Sequence, residues 1–254
     1  MHTKESLKRD LAAMGLVPTD TVLIHSSMKS IGEVEGRADT VLDALMEYFA
    51  PGLLVFPTLS FRFVNAEQPV FSVRETPCCT GILPELFRKR RGVKRSLSPT
   101  HSLGAYGKDA DVFVAGHGDF DSPAPPGSPW RRLYERNASI LFIGTGIGCN
   151  TYLHGVEEWL PVPGMLTEKH QMLEIIDENG EKISRPMRRH LGGHSAWYHL
   201  MEPVFRQHGG LRDGKFGDAH VHILNARIAG DTVYELLKKT PQFFTAEYQN
   251  KESK

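Results

Sequence analysis

The segment Asn150-Thr-Tyr-Leu-His-Gly-Val-Glu157 places an imidazole three residues before a carboxylate. In a helix, residues three apart share one face, so His154 and Glu157 can form a hydrogen bond. An imidazole that a carboxylate orients and charge-compensates can take a proton near pH 7. Most such pairs are surface or capping residues, so the spacing alone does not establish catalysis.

A strand and a glycine-rich turn precede this segment. The apolar run Ile140-Leu-Phe-Ile143 is typical of a buried strand, and Gly144-Thr-Gly-Ile-Gly148 follows it. Dinucleotide-binding loops have the spacing G-x-G-x-x-G, whereas the third glycine comes one residue early here. We therefore interpret these glycines as a tight turn that presents Asn150 to Glu157.

A second polar loop, Ser26 to Gly32, lies between an apolar strand at Thr21–His25 and a helix with Val41, Leu42 and Leu45 on one side. Hydroxyls and backbone N–H groups near a helix start suit a phosphate or pyrophosphate. The P-loop spacing is missing, and an ordinary polar loop between strand and helix is the more common occurrence.

A dense basic cluster comprises Arg88-Lys-Arg-Arg91 with Lys94 and Arg95. Such a run is usually a solvated helix face. The alternative is contact with a phosphorylated ligand, which is favoured by the hydroxyl-rich segment Arg95-Ser-Leu-Ser-Pro-Thr-His-Ser102 immediately after it.

Three histidines, His190, His194 and His199, raise the alternative of a metal-dependent hydrolase. H-E-x-x-H is absent, Gly192-Gly193 argues against a continuous helix, and cysteine ligands are missing. We therefore expect no metal site. Cys149 raises the alternative of an acyl-cysteine enzyme, although a small thiol beside a strand is usually buried and inert.

The order of strands and helices predicts an α/β protein. Strand, helix and strand follow one another between Thr21 and Phe56, which favours a right-handed crossover. A capped helix after Thr3 precedes them. Further along we predict a loop from Ser60 to Cys79, a helix from Gly81 to Gly92 and a loop from Gly116 to Pro129.

The last third predicts a hairpin, a strand and a helix. Two runs, 172–177 and 182–187, flank the turn Asp177-Glu-Asn-Gly180. Val221-His-Ile-Leu224 is a predicted strand, and Asp231 a predicted cap of the final helix. We expect one domain over residues 1–246 and a polar tail over 247–254.

Composition narrows the class of protein. Lys+Arg and Asp+Glu balance at 30 each, which disfavours a nucleic-acid binder and a basic membrane-surface protein. No apolar run approaches the length of a membrane span, and the first ten residues lack the apolar core of a signal peptide. Three cysteines without paired spacing suit a reducing compartment, so we expect a cytoplasmic protein.

Several segments, taken in order, resemble the aminoglycoside 3-N-acetyltransferase family. The matching segments are 23–32, 36–41 with 44–45, 55–58, 80–88, 95–102, 127–134, 140–144 and 150–157, and a weaker match follows at 214–219. The resemblance implies an α/β/α layered fold with a central mixed sheet. It also implies acetyl transfer from acetyl-coenzyme A (acetyl-CoA) to an amine.

The resemblance assigns roles to residues. His154 and Glu157 fall on the family's H-x-x-E pair, which looks like the general base and its partner. The residues that help to hold the coenzyme would be Ser26, Ser27, Met28, Lys29, Ser30, Arg95, Ser96, Thr100, His101 and Ser102. Their hydroxyls and cations would complement the phosphates of coenzyme A.

Two departures from the family pattern concern the coenzyme side. The family often has His-Pro-x-His-Ser where this chain has Ser98-Pro-Thr-His-Ser102, and its Gly-Gly is Gly36-Arg37 here. One imidazole near the coenzyme is therefore missing, and the side chain of Arg37 can narrow the site.

The acceptor is less well defined than the coenzyme. Aminoglycosides are polycations, yet the loops Ser60–Cys79 and Arg185–His199 hold only Glu67 and Glu75 as acids. We take Asp119 and Asp121 as candidate acceptor ligands and Thr151 and Ser128 as candidate oxyanion donors. The acceptor is an aminoglycoside or a related amino compound. A homodimer and a non-catalytic coenzyme-binding protein stay open.

Overall fold

The structure is a computed structural model that describes residues 1–252. Its helices are α1 (Lys4–Ala13), α2 (Arg37–Tyr48), α3 (Ile82–Phe87), α4 (Ala110–Val114), α5 (Pro129–Glu135), α6 (Thr151–Glu158), α7 (Glu202–Gln207), α8 (Ala226–Lys239) and α9 (Ala246–Glu252). Its strands are β1 (Thr21–Ser26), β2 (Leu53–Pro57), β3 (Val70–Ser72), β4 (Lys94–Arg95), β5 (Leu103–Gly107), β6 (Ser139–Ile143), β7 (Gln171–Ile176), β8 (Lys182–Met187), β9 (Leu211–Phe216) and β10 (Ala219–Asn225).

A central sheet has the strand order β4-β5-β2-β1-β6-β10-β9. The three middle strands β2, β1 and β6 run parallel to one another, and the flanking strands are antiparallel to their neighbours. Both faces are covered, which explains why β2 and β6 read as apolar runs rather than alternating patterns. The predicted α/β class and mixed central sheet are therefore confirmed.

Alternate residues of the middle strands feed two cores. Leu23, Val55 and Phe142 pack on the side of α5, α6 and α8, whereas Val22, Leu54 and Leu141 pack on the side of α1, α2 and α3. This alternation follows from the period of two in a strand. It gives the α/β/α layers.

A smaller sheet, β3-β7-β8, stands beside the main one. The predicted hairpin forms β7 and β8, and Phe71, Leu173 and Ile175 make its small core. β3 pairs parallel to β7, so the predicted loop Ser60–Cys79 is wrong in part. Three residues are too short a run to show the period of a strand.

Two predicted helix boundaries are wrong. Helix α8 begins after Asn225, whose side chain accepts from the N–H of Ile228, and Asp231 lies inside it and accepts from the hydroxyl of Tyr134 at 2.7 Å. Helix α3 ends at Phe87, so the basic run from Arg88 lies in a turn.

Helix α9 covers most of the predicted tail, residues 247–254. The division into one domain and a tail stays a prediction. Across residues 1–252, no helix combines the length and the apolar character that a membrane span requires.

The topology determines where a site can form. The carboxyl ends of β1, β2 and β6 meet at one edge of the sheet, and in open α/β sheets ligands bind at this edge. Gly144 follows β6 there with φ +64°, and Ser30 of the β1 loop donates to its carbonyl at 3.3 Å. The loops after β1 and β6 are thereby joined.

Gly144→Ala tests this contact, because a Cβ at Gly144 would stand 2.2 Å from the Cβ of Ser30. Gly180→Ala is a matched control, since Gly180 also has positive φ but nothing within 4 Å of its Cβ position. Both variants incur the cost of a left-handed alanine, about 1–2 kcal/mol. We expect Gly144→Ala to lose about 1–3 kcal/mol more in urea unfolding. Equal losses would contradict the close approach.

Candidate active site

A two-lobed cavity opens at this edge of the sheet. The first lobe, of about 350 Å³, is reached by Ser26 and Thr145 from the strand ends and by Thr151 and His154 from α6. The second lobe, of about 280 Å³, is bounded by Thr100, Arg189 and His190. The lobes share Phe61, His101, His154 and Ser195. His154 therefore stands where they meet.

Helix α6 holds His154 in this position. The strand β6 and its glycine turn lead through a 3₁₀ helix, Ile147–Cys149, into α6, as the sequence predicts. Tyr152, Leu153 and Val156 are fully buried on the core side, and the Tyr152 hydroxyl donates to the carbonyl of Ala226 at 2.8 Å. These contacts fix the rotation of the helix and hence the direction of His154.

Glu157 is a fully buried carboxylate on which donors converge. Nδ1 of His194 lies 2.6 Å from Oε1, Nδ1 of His154 lies 3.3 Å from Oε2, and the Tyr198 hydroxyl donates to Oε2. Burial by itself raises the pKa of Glu157, but the hydrogen bonds from His154 and His194 outweigh it and hold the pKa at about 2. The group is charged at neutral pH.

This arrangement sets the tautomer of His154. An ionised carboxylate only accepts hydrogen bonds, so Nδ1 of His154 carries the hydrogen that faces Glu157. The Tyr198 hydroxyl oxygen stands 2.5 Å from the same nitrogen. Nε2 is left with its lone pair, in a ring that borders both lobes.

A second carboxylate, Glu158, follows directly in the chain and has its own histidines. Nε2 of His190 lies 2.5 Å from Oε1 of Glu158, and Nδ1 of His190 lies 3.0 Å from Nε2 of His101. The rings of His190 and His154 are 4.9 Å apart between centroids. Two His–carboxylate clusters therefore stand side by side.

Polar atoms without a protein partner gather at the first lobe. Within the described part of the chain, four side chains make no hydrogen bond through the following buried atoms: Ser26 Oγ, Thr145 Oγ1, His25 Nε2, and Oδ1 and Nδ2 of Asn150. All four residues border the first lobe. Buried polar groups normally have partners, so this lobe suits a ligand with acceptors and donors such as the coenzyme.

The rest of the predicted loop Ser26–Ser30 lies outside the cavity lining. The Ser27 N–H donates to the carbonyl of Ile143, and the Ser30 hydroxyl donates to the Ser27 hydroxyl. Met28 packs partly against a core, and Lys29 is exposed. These four residues can meet only parts of a ligand that extend beyond the cavity.

Arg95, Ser96 and Ser102, predicted to hold the coenzyme, are committed to the interior. The Arg95 guanidinium donates to the carbonyls of Thr58, Val73 and Thr76 and to the Ser102 hydroxyl. The Ser96 hydroxyl accepts from the N–H of Leu103. These residues tie loops together and do not border the cavity, and their contact with the coenzyme stays a prediction. Thr100 and His101 of the same segment do reach the cavity.

The residues predicted to bind the acceptor also fall into two groups, those outside the cavity and those that line it. Asp119 pairs with Arg185 at 3.2 Å, Asp121 pairs with His170 at 2.8 Å, and neither borders the cavity. Ser128 is buried before α5 and does not border it either. The spacing of residues does not show which loops face the cavity. Thr151 lines the first lobe.

The three histidines of the alternative metal site do not converge. His190 and His194 turn to Glu158 and Glu157, whereas Nδ1 of the exposed His199 faces the carbonyl of Ala196 at 2.8 Å. The Gly192-Gly193 break leads into a 3₁₀ helix, His194–Met201, which points the side chains apart. Cys149, expected to be buried, is exposed at the first lobe, and desolvation by the surrounding protein raises the pKa of its thiol.

Most side chains of the basic run form ion pairs, and none of them borders the cavity. Arg88 pairs with Glu85 at 2.7 Å, Arg90 with Asp43 at 2.7 Å, and Lys94 with Asp111 at 2.9 Å. These contacts fit a salt-bridged surface better than a phosphate site, and the Arg88 side chain is buried rather than solvated.

Sequence reasoning missed Tyr198 and Glu158. Tyr198 lies 44 positions after His154, and no local spacing connects the two residues. Glu158 differs from Glu157 only in its position on the helix, and nothing in the sequence showed that both side chains are buried.

Comparison with known proteins supports the class that fold and cavity define. A sequence profile of the aminoglycoside 3-N-acetyltransferase family matches residues 23–238. The chain is 30% identical to aminoglycoside N(3)-acetyltransferase VII of Streptomyces paromomycinus over 72% of this chain and 69% of that protein.

Solved structures show the same likeness in three dimensions. Aminoglycoside acetyltransferase AAC(3)-Xa superposes with a TM-score of 0.81 at 28% identity, covering 94% of this chain and 93% of that one. AAC-IIIb, solved as a binary complex with CoASH, superposes with a TM-score of 0.80 at 24% identity, covering 94% and 97%, and so shows a shared fold. The chain therefore belongs to the aminoglycoside 3-N-acetyltransferase family and is an acetyltransferase.

Arg95→Met tests the structural role of the buried guanidinium. Burial lowers the pKa of Arg95 to about 10, so it remains charged at pH 7 while its donors satisfy three carbonyls. Removing them leaves buried acceptors unpaired, and we expect a loss of about 3 kcal/mol or more in urea unfolding. The control Arg90→Met breaks partly exposed ion pairs and should cost about 1 kcal/mol or less. Equal, small losses would contradict this role.

Proposed function

We propose that this protein transfers acetyl from acetyl-CoA directly to an amine of an aminoglycoside (3-N position) or a related amino compound. The observation that carries the proposal is the pair His154–Glu157, set at the junction of the two lobes and held by Tyr198 and His194. The first lobe would receive the thioester, because its unpaired polar atoms at Ser26, Thr145 and Asn150 fit a polar coenzyme arm.

His154 would act as the general base. As the amine nitrogen attacks the thioester carbonyl, Nε2 takes a proton from it, and the same proton then neutralises the leaving thiolate. Glu157 stabilises the imidazolium through Nδ1 and keeps the ring in place. Tyr198 and His194 leave this carboxylate little freedom to rotate.

The start of α6 would stabilise the oxyanion. Asn150 is the residue before the helix, but its side chain accepts no hydrogen bond from the first N–H groups of α6. Thr151 borders the first lobe. Donors at the positive end of a helix, aimed where negative charge develops, lower the barrier to acyl transfer.

The charge of the cavity favours an acceptor with few positive charges. Among residues 1–252, no Asp or Glu lines either lobe, whereas Arg62 and Arg189 do. A tri- or tetra-cationic aminoglycoside would gain no ion pair there and would be repelled by both guanidinium groups. Of the two acceptor classes, the related amino compound fits better.

Two further expectations accompany this function. We propose a cytoplasmic location, which the three free cysteines support. The homodimer stays a prediction.

The first test is release of free thiol from acetyl-CoA with purified protein and a panel of amines. The panel holds aminoglycosides, amino sugars with one amine, and simple monoamines. Thiol release with any of them supports acetyl transfer. If calorimetry shows that coenzyme A binds but no amine of the panel causes thiol release, the result would contradict acetyl transfer and favour a non-catalytic coenzyme-binding protein.

His154→Ala removes the base. We expect turnover to fall by about 10²–10⁴-fold, the usual contribution of a positioned general base, with little change in thermal unfolding. His199→Ala is the matched control, because that imidazole is exposed and outside the cavity. Unchanged turnover in His154→Ala would remove this residue from the mechanism.

The same assay tests the acceptor's charge. Each additional ammonium group on an otherwise similar acceptor should raise KM, and added salt should reduce the difference by screening the arginines. Arg189→Gln should lower KM for the polycationic acceptors more than for the monoamine. A KM that falls with the number of amines would contradict this cavity assignment.

A further inference from the structure

The proposed reaction leaves one proton unaccounted for. An aliphatic amine near pH 7 is an ammonium ion, and its conversion to an amide removes two protons from nitrogen. His154 handles one of them, which ends on the thiol of the coenzyme. The other must leave before nitrogen has a lone pair with which to attack.

A chain of four side chains starts at the second lobe. The Thr100 hydroxyl lies 2.9 Å from Nδ1 of His101, and Nε2 of His101 lies 3.0 Å from Nδ1 of His190. Nε2 of His190 lies 2.5 Å from Oε1 of Glu158. Every ring nitrogen in the chain therefore has a partner within the chain.

The far end of the chain reaches a different cleft. Glu158 borders an open cleft together with Arg188 and Thr167, and this cleft shares no lining residue with the lobe that Thr100 borders. The His190 and Glu158 side chains themselves are 6% and 1% exposed. The chain thus connects the acceptor side of the site with a second surface through groups that water does not reach freely.

We propose that Thr100, His101, His190 and Glu158 form a second proton relay, which removes the first proton from the acceptor's ammonium group and delivers it to the far cleft. The relay rests on the proposed function, since it serves an amine in the second lobe. Thr100, His101 and His190 all border the second lobe, and Thr100 is the end of the chain at which the proton enters.

The step balances without another reactant. Before transfer, Nε2–H of His190 donates to ionised Glu158, Nε2–H of His101 donates to His190, and the Thr100 hydroxyl donates to Nδ1 of His101. The ammonium gives a proton to the Thr100 oxygen as each hydrogen moves one bond along. Afterwards Glu158 is a neutral acid, both rings remain neutral in the other tautomer, and the amine has its lone pair.

The electrostatics suit this role. Burial lowers the pKa of His101 and of His190, so neither ring stores the charge. Burial also raises the pKa of Glu158 to about 7. The Ser122 hydroxyl and the Ala124 N–H donate to the carboxylate and lower the pKa, but burial has the larger effect. His154 and Arg188 act to lower the pKa of Glu158, and Glu157 and Glu168 border the same cleft. A carboxyl group that accepts and releases a proton near neutral pH fits a relay.

Glu158→Gln tests the relay, because the amide keeps the shape and its oxygen can still accept from Ala124 and His190, but it cannot take a proton. Two acceptors are compared at pH 7: the best ammonium acceptor of the panel and methoxyamine, which is uncharged there, each with the rate without enzyme subtracted. We expect turnover of the ammonium acceptor to fall by about 10²-fold or more and that of methoxyamine by about threefold or less. The deficit with the ammonium acceptor should shrink as pH rises toward its pKa. His199→Gln serves as the control.

Equal losses with both acceptors, or no loss with either, would overturn the relay and leave the proposed function standing. A wild-type protein that acetylates no amine would remove the proposed function and the relay together. If Glu158→Gln does not fold, His190→Ala takes its place. Free imidazole should then restore turnover of the ammonium acceptor, and its failure to do so overturns the relay.

Discussion

The buried carboxylate of Glu157 is the constraint on which the site depends. A charged group with no exposure is costly unless it is fully hydrogen-bonded, and here three side chains from two segments supply the donors. Because those donors are His154, His194 and Tyr198, satisfying the charge also assembles the site. The segment 194–201 is held against α6 by the same contacts that give His154 its tautomer.

The fold supplies the rest. Parallel strands bring the loops after β1, β2 and β6 to one edge, where the first lobe forms with its unpaired polar atoms. Helix α6 carries two successive carboxylates, and each meets its own histidine from the segment after β8. One short helix thereby carries the proposed oxyanion donors at its start, the proposed general base in its middle and the proposed second proton path at its end.

Much of the fold and part of the candidate site could be predicted from the sequence. The other site contacts could not, for physical reasons. His154 and Glu157 are three residues apart on one helix, so local spacing revealed their contact. The partners Tyr198 and His190 come from distant segments that no spacing connects. The interior contacts of Arg95 and Ser102 could not be foreseen, because residue types that suit a phosphate also suit buried carbonyls. Asp119 and Asp121 lie outside the cavity lining, which could not be foreseen since composition does not tell which side of a loop faces the cavity.

Neutron diffraction from perdeuterated crystals at neutral pH would test the central claim most directly, because it locates the hydrogens between His154, Tyr198 and Glu157. The account predicts deuterium on Nδ1 of His154 and on the Tyr198 oxygen, none on Glu157, and an Nε2 free to accept a proton. Deuterium on Nε2 of His154 with none on Nδ1, or on the carboxyl of Glu157, would contradict it.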